Sequence, residues 1–512
     1  MAWTFAGLTP LFQLVTIQGY GYFRDELYYL ANAEHLGFGY VEHPPFIGVV
    51  AALVRATFGD SRFAIRLLPA IAAAATVWIG VLLVREFGGG RFARALAGLS
   101  LLTMPGLIGT CSILSMNAFD VFCWAACALV VTRILRGGDQ RLWILFGLLA
   151  GLGLENKISV LFLGVGIVAG LVLSRRWDVF RSGWLWAGGA LAGLIFAPYV
   201  VWQAAHGWPL LEFMANARRL KNVDLSFMAF MREQLLIANP LALPVWASGL
   251  GYLLFARTAR PFRAIGWIYP VVLAAMLAAG DAKPYYLIPA YTVLFAAGGV
   301  AIERFSRRAE ALRRPMNLGS IVAGSVRAIV VVLVVVGGVL TAPLAKPVLP
   351  LETFVRYSRA LGLSASSGER QRLGRLPQMY ADMQGWPELA ETVANVYRTL
   401  PASERAEACV FAQNYGQAGA IDLFGPRLGL PKAISGHNSY DFWGPRNCSG
   451  DVLIVIGDNR KRLEELFEHV ELGATYHCAD CMPYEATKGI WVARKLRRGT
   501  LQTLWPEVKR FI

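Results

Sequence analysis

The sequence has few charged residues for its length, since Asp, Glu, Lys and Arg make up 16% of its 512 residues. Soluble proteins average about 25%, so an ordinary cytosolic enzyme is excluded. No GxGxxG pattern follows a predicted strand and no Walker loop occurs, so no cradle for a nucleotide is visible. Hydrophobic residues are abundant at 56%, with a mean hydropathy of +0.47. These properties predict a multi-pass membrane protein.

Apolar runs that are long enough to cross a bilayer recur through residue 343. The first run has no cleavage site, so we expect an anchor rather than a removable signal peptide. We predict a transmembrane domain at 1–344 and a second, more polar domain at 345–512. The predicted spans, about eleven in number, are 7–20, 64–84, 93–110, 117–135, 141–154, 157–174, 183–203, 236–256, 262–279, 285–302 and 320–343.

The loops between these runs alternate in positive charge. One set holds 18 Lys and Arg in about 60 residues, and the opposite set holds 10 in about 104. A net charge of +15 can indicate a nucleic-acid partner, but here the excess lies in short loops, so we expect no nucleic-acid binding. The positive-inside rule places the richer set in the cytoplasm. With eleven spans, residues 345–512 then lie outside. The richer loops are 85–94, 133–141, 174–181, 256–263 and 303–327.

The C-terminal part has the pattern of a small α/β domain. Buried strands are predicted at 409–412, 451–456 and 489–492, and an amphipathic helix at 459–470. Four cysteines lie in this domain, and they allow three disulfide pairings in an oxidising compartment. The CxxC of Cys478 and Cys481 is also compatible with a redox or metal pair.

Acidic residues concentrate in the first outer loop. On a helix beginning at Asp25, the residues Asp25, Tyr28, Tyr29 and Asn32 share one face. An Asp-Glu pair at a helix start is also explained by capping and by the helix dipole. The pair is therefore either a helix cap or part of a reactive site.

Five cations break the positive-inside trend on the outer side. Each lies beside the end of an apolar run, where a long side chain can extend to lipid headgroups. The alternative is that they converge on an anion at the outer membrane face, such as a lipid phosphate. They are Lys157, Arg218, Arg219, Lys221 and Lys283.

An ordered set of short motifs resembles a known family. The chain is similar to the bacterial GT-C polyprenyl-phosphate-sugar glycosyltransferases, related to protein O-mannosyltransferases (dolichyl-phosphate-mannose-protein mannosyltransferases) and to the aminoarabinose transferase of lipid A. Each motif is weak alone, but the set spans nearly the whole chain. The motifs are Asp25-Glu-Leu-Tyr-Tyr, Glu42-His-Pro-Pro, Gly153-Leu-Glu-Asn-Lys, Pro198-Tyr-Val-Val-Trp-Gln, His206-Gly-Trp-Pro, Lys283-Pro-Tyr-Tyr-Leu-Ile-Pro, Asn414-Tyr-Gly-Gln-Ala-Gly and Gly436-His-Asn-Ser-Tyr.

The resemblance implies a GT-C transmembrane bundle, with a cavity beneath a periplasmic domain and short helices in the first outer loop. It implies Asp25 as the catalytic carboxylate, with Glu26 beside it. A divalent metal ion is a candidate cofactor, since Glu42 occupies an acidic position that helps to hold such an ion in some relatives. His43 and His206 are candidates to complete its ligands.

For the lipid phosphate of the donor, the resemblance implies Lys157, Arg218, Arg219 and Lys283, and we add Tyr285 beside the last. Two departures stand out at other positions. His43 stands where relatives often have Lys, and the segment Ser115-Met-Asn117 stands where many members have Asp, with Asp120 one turn further along. The sequence leaves the role of Asp120 open.

The expected function is transfer of a hexosyl or pentosyl group from a polyprenyl-phosphate sugar to a hydroxyl of an envelope lipid, glycan or protein, with inversion. The leaving phosphate needs cations, and the attacking hydroxyl needs one base. The alternative is a secondary transporter or flippase of a lipid-linked or anionic substrate, although no repeated halves are visible. An outer-domain scaffold without catalysis is a further rival. The expected location is a bacterial inner membrane.

Overall fold

The structure is a computed structural model that describes residues 2–17, 19–311, 318–363 and 367–512. Two predictions fall partly outside these residues, because the first span contains Gln18 and the cytoplasmic loop 303–327 contains 312–317. The chain divides into two compact units. The first, which we call the helical unit, consists of the described parts of 1–17, 65–201 and 224–349. The second, the outer unit, consists of the described parts of 18–64, 202–223 and 350–512.

The helices are α1 Ala2–Val15, α2 Arg24–Asn32, α3 Phe46–Phe58, α4 Arg62–Glu86, α5 Arg91–Leu102, α6 Pro105–Thr110, α7 Met116–Leu135, α8 Leu142–Asn156, α9 Val160–Leu173, α10 Trp177–Phe180, α11 Gly183–Ala205, α12 Pro209–Asn216, α13 Phe227–Ile237, α14 Leu243–Phe255, α15 Arg263–Gly266, α16 Ile268–Ala279, α17 Tyr291–Ala311, α18 Leu318–Ala345, α19 Leu351–Ala360, α20 Gln378–Ala381, α21 Trp386–Thr399, α22 Ala402–Glu407, α23 Tyr415–Leu428, α24 Ser439–Trp443, α25 Arg460–Leu466 and α26 Leu501–Val508. The strands are β1 Cys409–Ala412, β2 Ala433–Ile434, β3 Val452–Ile456, β4 Phe467–His477 and β5 Thr487–Leu496. Short 3₁₀ turns cover Pro240–Ala242, Arg257–Phe262 and Pro284–Ala290, and a π turn covers Ala217–Lys221.

The helical unit is a bundle of apolar helices around one continuous core. Within the described residues, six helical stretches are long and apolar enough to cross a membrane, or seven if one bent pair forms a single span. Four shorter apolar helices, of 10–17 residues, accompany them. The chain is therefore a multi-pass membrane protein, as its composition predicts, and the count of eleven spans stays a prediction.

Two predicted spans are interrupted in the structure. The run 93–110 divides into α5 and α6, because Pro105 starts a new helix and has no N–H to continue the previous one. The run 236–256 contains the end of α13, a 3₁₀ turn and α14, and the axis of α13 is bent by 90° from that of α14. Asn239 stabilises this bend, since its side chain donates to the Val334 carbonyl and accepts from the Leu241 N–H. Hydropathy along the chain does not detect such breaks.

The outer unit contains a five-stranded mixed sheet in the order β2-β1-β3-β5-β4. β1, β2 and β3 are parallel, whereas β5 is antiparallel to both β3 and β4. The unbroken apolar runs of β1 and β3 pair at the centre of the sheet, which is typical of buried parallel strands. The predicted α/β class and the strands near 409, 451 and 489 are confirmed.

The predicted helix at 459–470 is wrong in its last four residues. α25 ends at Leu466, and residues from Phe467 onward form β4. β4 pairs along its length with β5, so tertiary pairing overrides the local amphipathic pattern.

The four outer cysteines form two disulfides, Cys409–Cys448 and Cys478–Cys481. Of the three pairings open to the sequence, this is the one that joins near neighbours in space. The three remaining cysteines, Cys111, Cys123 and Cys127, are buried, as expected for small core residues. The predicted domain boundary at 344 stays a prediction, while the compact outer unit also includes the first outer loop.

Candidate functional site

Asp25 lies in the first turn of α2, in the outer unit. The other residues of its predicted face, Tyr28, Tyr29 and Asn32, are buried, whereas the Asp25 side chain is 31% exposed. The Tyr415 hydroxyl donates to Asp25 Oδ1 at 2.9 Å. A carboxylate that is oriented on one oxygen and partly open to solvent is suited to accept a proton at the other oxygen.

Arg24 is the charged partner of this carboxylate. Its Nε lies 3.4 Å from Asp25 Oδ1, and its Nη1 lies 3.5 Å from Asp382 Oδ2 and donates to the Tyr484 hydroxyl at 2.8 Å. The guanidinium also lies 5.4 Å from the centre of the Tyr415 ring. Tyr484 in turn donates to Asp382. Burial raises the pKa of Asp382 to about 6, although Arg24 opposes this rise. The network holds Arg24 rigidly beside Asp25.

Glu42 is joined through Tyr28 to the group formed by Asp25, Arg24 and Tyr415, which we call the Asp25 cluster. The Tyr28 hydroxyl donates to Glu42 Oε2 at 3.2 Å and accepts from the Ser439 N–H at 3.1 Å. The Tyr28 ring stacks on Tyr415 with centroids 4.7 Å apart. Burial raises the pKa of Glu42 to about 7, and this outweighs the hydrogen bond from Tyr28 and the nearby charge of Lys221. Glu42 therefore changes its ionisation near neutral pH, next to the Asp25 cluster.

Glu26, the second predicted catalytic residue, is fully buried. Its Oε2 accepts a hydrogen bond from the Phe23 N–H at 2.8 Å, which satisfies a donor at the start of α2. This contact explains the carboxylate as a helix cap. Glu26 thus makes the contact that the capping alternative predicts, and the catalytic roles of Asp25 and Glu26 stay predictions.

The predicted metal ligands do not form a ligand set. Both ring nitrogens of the buried His43 are occupied, because Nδ1 bonds the Pro44 carbonyl at 2.8 Å and Nε2 bonds the Asn32 amide at 3.0 Å. His206 Nδ1 bonds the Trp202 carbonyl. Among the described residues, no group of three or more His, Cys, Asp or Glu side chains has the geometry to hold a metal ion. The described residues therefore do not provide a fitting ligand set for a divalent ion at Glu42.

Lys157 belongs to a separate cluster in the helical unit. Its Nζ donates to Asn117 Oδ1 at 2.7 Å and lies 4.0 Å from Asp120 Oδ2. The ammonium also lies over the Tyr286 and Tyr285 rings, 4.4 and 5.4 Å from their centres. Asn117 and Asp120, whose roles the sequence leaves open, thus contact one cation that the sequence predicts to bind phosphate.

The other predicted cations lie on or beside two short turns. Lys283 precedes the 3₁₀ turn Pro284–Ala290, which carries Tyr285. Arg218 and Arg219 are exposed on the π turn Ala217–Lys221 of the outer unit. At the end of that turn, Lys221 pairs with the buried Glu369 at 3.4 Å.

Several contributing residues were not among the predicted site residues. Tyr415, Asp382 and Tyr484 surround Arg24 and Asp25 but come from distant parts of the chain. The family-like motif that begins at Asn414 is the one available signal for Tyr415. No local pattern points to Asp382 or Tyr484.

Comparisons with known proteins agree with this architecture. Residues 42–202 match the family model described as dolichyl-phosphate-mannose-protein mannosyltransferase. No curated protein matches the sequence at a significant level.

Three solved structures illustrate the similarity. ArnT from Cupriavidus metallidurans bound to undecaprenyl phosphate has a TM-score of 0.64 and 13% identity, covering 95% of this chain and 97% of that chain. ArnT in the apo state gives 0.59 and 15%, covering 96% and 97%. The archaeal oligosaccharyltransferase AglB from Archaeoglobus fulgidus, in complex with an inhibitory peptide and a dolichol-phosphate, gives 0.51 and 11%, covering 89% and 69%. The resemblance seen in the motifs is confirmed, and the chain has the fold of the GT-C membrane glycosyltransferases.

Proposed function

We propose that the protein is a glycosyltransferase that moves a sugar from a polyprenyl-phosphate donor to a hydroxyl acceptor at the outer face of a bacterial inner membrane. The observation that carries this proposal is the partly exposed Asp25 carboxylate, held by Tyr415 and Arg24. The fold shared with ArnT bound to undecaprenyl phosphate supports the donor class. The matching of 42–202 to a mannosyltransferase family model supports the reaction class.

In the proposed reaction, the acceptor hydroxyl attacks the anomeric carbon of the donor sugar. A C–O bond forms to the acceptor as the bond from that carbon to the phosphate oxygen breaks, and its electron pair leaves with the phosphate. The acceptor proton moves to Asp25 Oδ2, since Oδ1 is engaged by Tyr415 and Arg24. Attack opposite the phosphate inverts the anomeric centre. A general base of this kind contributes about 10²–10⁴-fold to the rate.

The leaving phosphate needs positive charge rather than a proton. In the helical unit we assign this role to Lys157, with Lys283 and Tyr285 as further candidates. Asn117, Asp120 and the two tyrosine rings keep the Lys157 ammonium in one orientation. Arg218 and Arg219 in the outer unit stay predicted phosphate contacts.

A donor panel tests the proposal. Purified protein is supplied with polyprenyl-phosphate sugars and envelope extract, and released polyprenyl phosphate is followed by mass spectrometry. We expect release by the native protein and by Asp178→Asn, an exposed carboxylate outside both clusters, and a loss of at least about 100-fold in Asp25→Asn.

Two outcomes would contradict the proposal. Equal release by Asp25→Asn would remove the proposed base. Absence of release from any donor, together with substrate-dependent uptake in vesicles, would support the transporter or flippase alternative.

The proposed location has its own test. An alkaline phosphatase fused after residue 512 is expected to be active, because that enzyme needs the oxidising periplasm. The two disulfides of the outer unit support this location, since structural disulfides persist in oxidising compartments. If the phosphatase fusion is inactive and a cytoplasmic fluorescent reporter fused at the same position is fluorescent, residues 345–512 lie in the cytoplasm and the proposed orientation is wrong.

A further inference from the structure

The outer unit contains a second feature, an aromatic pocket with a volume of about 280 Å³. Its wall residues come from three segments that are far apart in sequence, namely the loop after α2, the end of α11 and helix α24. This volume is near the lower end of the roughly 300–1,000 Å³ range of small-molecule sites. The lining residues are His35, Tyr40, Trp202, His206, Phe442 and Trp443, together with Leu36, Gly37, Gly39 and Ser439.

The rings form flat platforms. His206 stacks on Trp202 with centroids 4.2 Å apart, and His35 stacks on Trp443 at 4.1 Å. Phe442 meets the Trp202 and His206 rings edge to face, at 5.8 and 5.3 Å. Two indole–imidazole pairs thus stand in one pocket, each with a large apolar face and a polar nitrogen edge.

The charges around the pocket disfavour a cation. Aromatic cages commonly bind ammonium groups, but here burial lowers the pKa of His35, and the nearby charges of Arg446 and Lys432 add to this effect. The nearest carboxylate on the same segment, Glu34, is already paired with Arg55 and Lys432. A neutral ligand therefore fits better than a positively charged one.

The polar edges also disfavour an acyl chain. His206 Nδ1 bonds the Trp202 carbonyl, so its Nε2 is the nitrogen that remains to bond a ligand. The Ser439 Oγ, which accepts from the Val41 N–H, adds another polar atom. A hydrocarbon would cover these groups without bonding them, which costs free energy. A sugar ring meets both requirements, since its C–H faces stack on the negative faces of aromatic rings and its hydroxyls bond the edges.

The pocket is connected to Asp25 within the same unit. The Ser439 N–H donates to Tyr28, the Tyr28 ring stacks on Tyr415, and Tyr415 donates to Asp25. These contacts place the wall of the pocket and the proposed base in one rigid aromatic cluster. We propose that this pocket binds a neutral sugar ring of the acceptor glycan, stacked between the Trp202 and Trp443 platforms. The proposal rests on the proposed function, because it assigns the acceptor of that reaction to the carbohydrate class.

Binding is tested by saturation-transfer NMR with methyl glycosides of glucose, mannose and N-acetylglucosamine as probes. We expect transfer to at least one glycoside from the native protein and from Trp177→Leu, an exposed tryptophan outside the pocket. Trp443→Leu and Phe442→Leu are expected to bind about tenfold more weakly. Phe442 is 41% exposed, so that variant is expected to fold even if Trp443→Leu does not. Absence of transfer from the native protein, unchanged binding in folded Phe442→Leu, or displacement of the glycoside by octanoate would overturn the proposal.

Kinetics separate this proposal from the transferase itself. Phe442→Leu is expected to raise the acceptor KM about tenfold while kcat and the donor KM stay unchanged, and Asp25→Asn is expected to bind glycoside normally without turnover. If the native protein binds glycoside but uses no donor, the proposed function fails and the acceptor assignment fails with it, while the pocket stands as a sugar-binding site. If it turns over donor but Phe442→Leu keeps the native acceptor KM, the proposed function stands and the pocket assignment fails.

Discussion

One oxygen of Asp25 is held from two sides, by the Tyr415 hydroxyl and by Arg24. A hydrogen bond to a charged group contributes about 1.5–3 kcal/mol, so Tyr415 has the position to orient the proposed base. We expect Tyr415→Phe to lower kcat by about 10–100-fold with little change in either KM, measured by release of polyprenyl phosphate.

The matched control is Tyr397→Phe, which removes a hydroxyl that donates to the Arg405 carbonyl elsewhere in the outer unit. This variant is expected to keep native kcat. If Tyr415→Phe also remains within about twofold of native kcat, the tyrosine does not position the base.

The buried His437 is expected to make the protein less stable in acid. Its Nδ1 accepts from the Tyr415 N–H and its Nε2 bonds the Ile512 carbonyl. Burial, with the nearby Arg510, lowers its pKa to about 3 from an ordinary 6.5. The folded state thus keeps the ring neutral, whereas the unfolded chain binds a proton below pH 6.5. The contribution of His437 to the free energy of unfolding is therefore fully present above pH 6.5 and is lost as the pH falls toward 3. The expected loss is about 1.4 kcal/mol per pH unit in that window.

The measurement is the melting temperature between pH 7.5 and pH 5. His437→Gln is expected to show a shallower acid loss than native protein, because the titrating group is gone. The exposed His469→Gln is expected to follow the native curve. An identical acid slope in native protein and His437→Gln would contradict this account.

At the scale of a helix, α2 depends on close packing against α23. A Cβ at Gly419 would come within 2.8 Å of the Leu27 backbone, and one at Gly416 within 2.6 Å of the Arg24 side chain. Only glycine permits this approach, which brings Arg24 and Asp25 to Tyr415. The Gly residues of the motif at 414–419 are thus explained by helix packing rather than by ligand binding.

The N-terminus of α2 provides a separate prediction. Glu26→Ala is expected to lower stability by about 1 kcal/mol, because the Phe23 N–H loses its partner. Glu26→Gln keeps an acceptor oxygen, so we expect it to retain the native melting temperature. Its turnover is expected to stay within about threefold of the native value. If Glu26→Gln loses turnover as completely as Asp25→Asn, the capping role does not account for Glu26.

Elements with continuous local patterns were predictable from the sequence. The span 117–135 corresponds to α7 Met116–Leu135, and the apolar run at 451–456 corresponds to β3. The break at Asn239 and the strand at the end of the predicted helix 459–470 were not predictable, because each depends on partners elsewhere, Val334 in one case and β5 in the other. Local periodicity describes an element until a distant contact competes with it.

For the whole molecule, the two disulfides are expected to differ in their effect. The Cys409–Cys448 bond spans 39 positions and the Cys478–Cys481 bond spans three. Loop-closure entropy then gives about 4 kcal/mol for the first and about 2 kcal/mol for the second. Replacing each pair by serine and comparing melting temperatures tests this order. A larger loss from the Cys478–Cys481 pair would show that packing rather than loop closure dominates.

The candidate site shows the same limit of prediction at larger range. Asp25 is indicated by its neighbours in sequence and by the family resemblance, and the outer cations by their charge. The partners Tyr415 and Asp382 lie more than 350 positions away from Asp25, and no periodicity relates residues at that distance. The predicted metal set joins Glu42, taken from the family resemblance, to His43 and His206, taken from residue type, whereas the bonds of His43 to Asn32 and Pro44 depend on the fold.

The outer unit is assembled from three separate stretches of chain, and this has a consequence for biosynthesis. Asp25 and Tyr415 are 390 positions apart. At about 5–20 residues per second, the loop that carries Asp25 waits on the order of 20–80 s for its partner to be made. During that interval α2 has no α23 to pack against. The proposed base therefore becomes ordered only near the end of synthesis. A chain truncated before residue 415 is expected to insert into the membrane without forming the reaction centre.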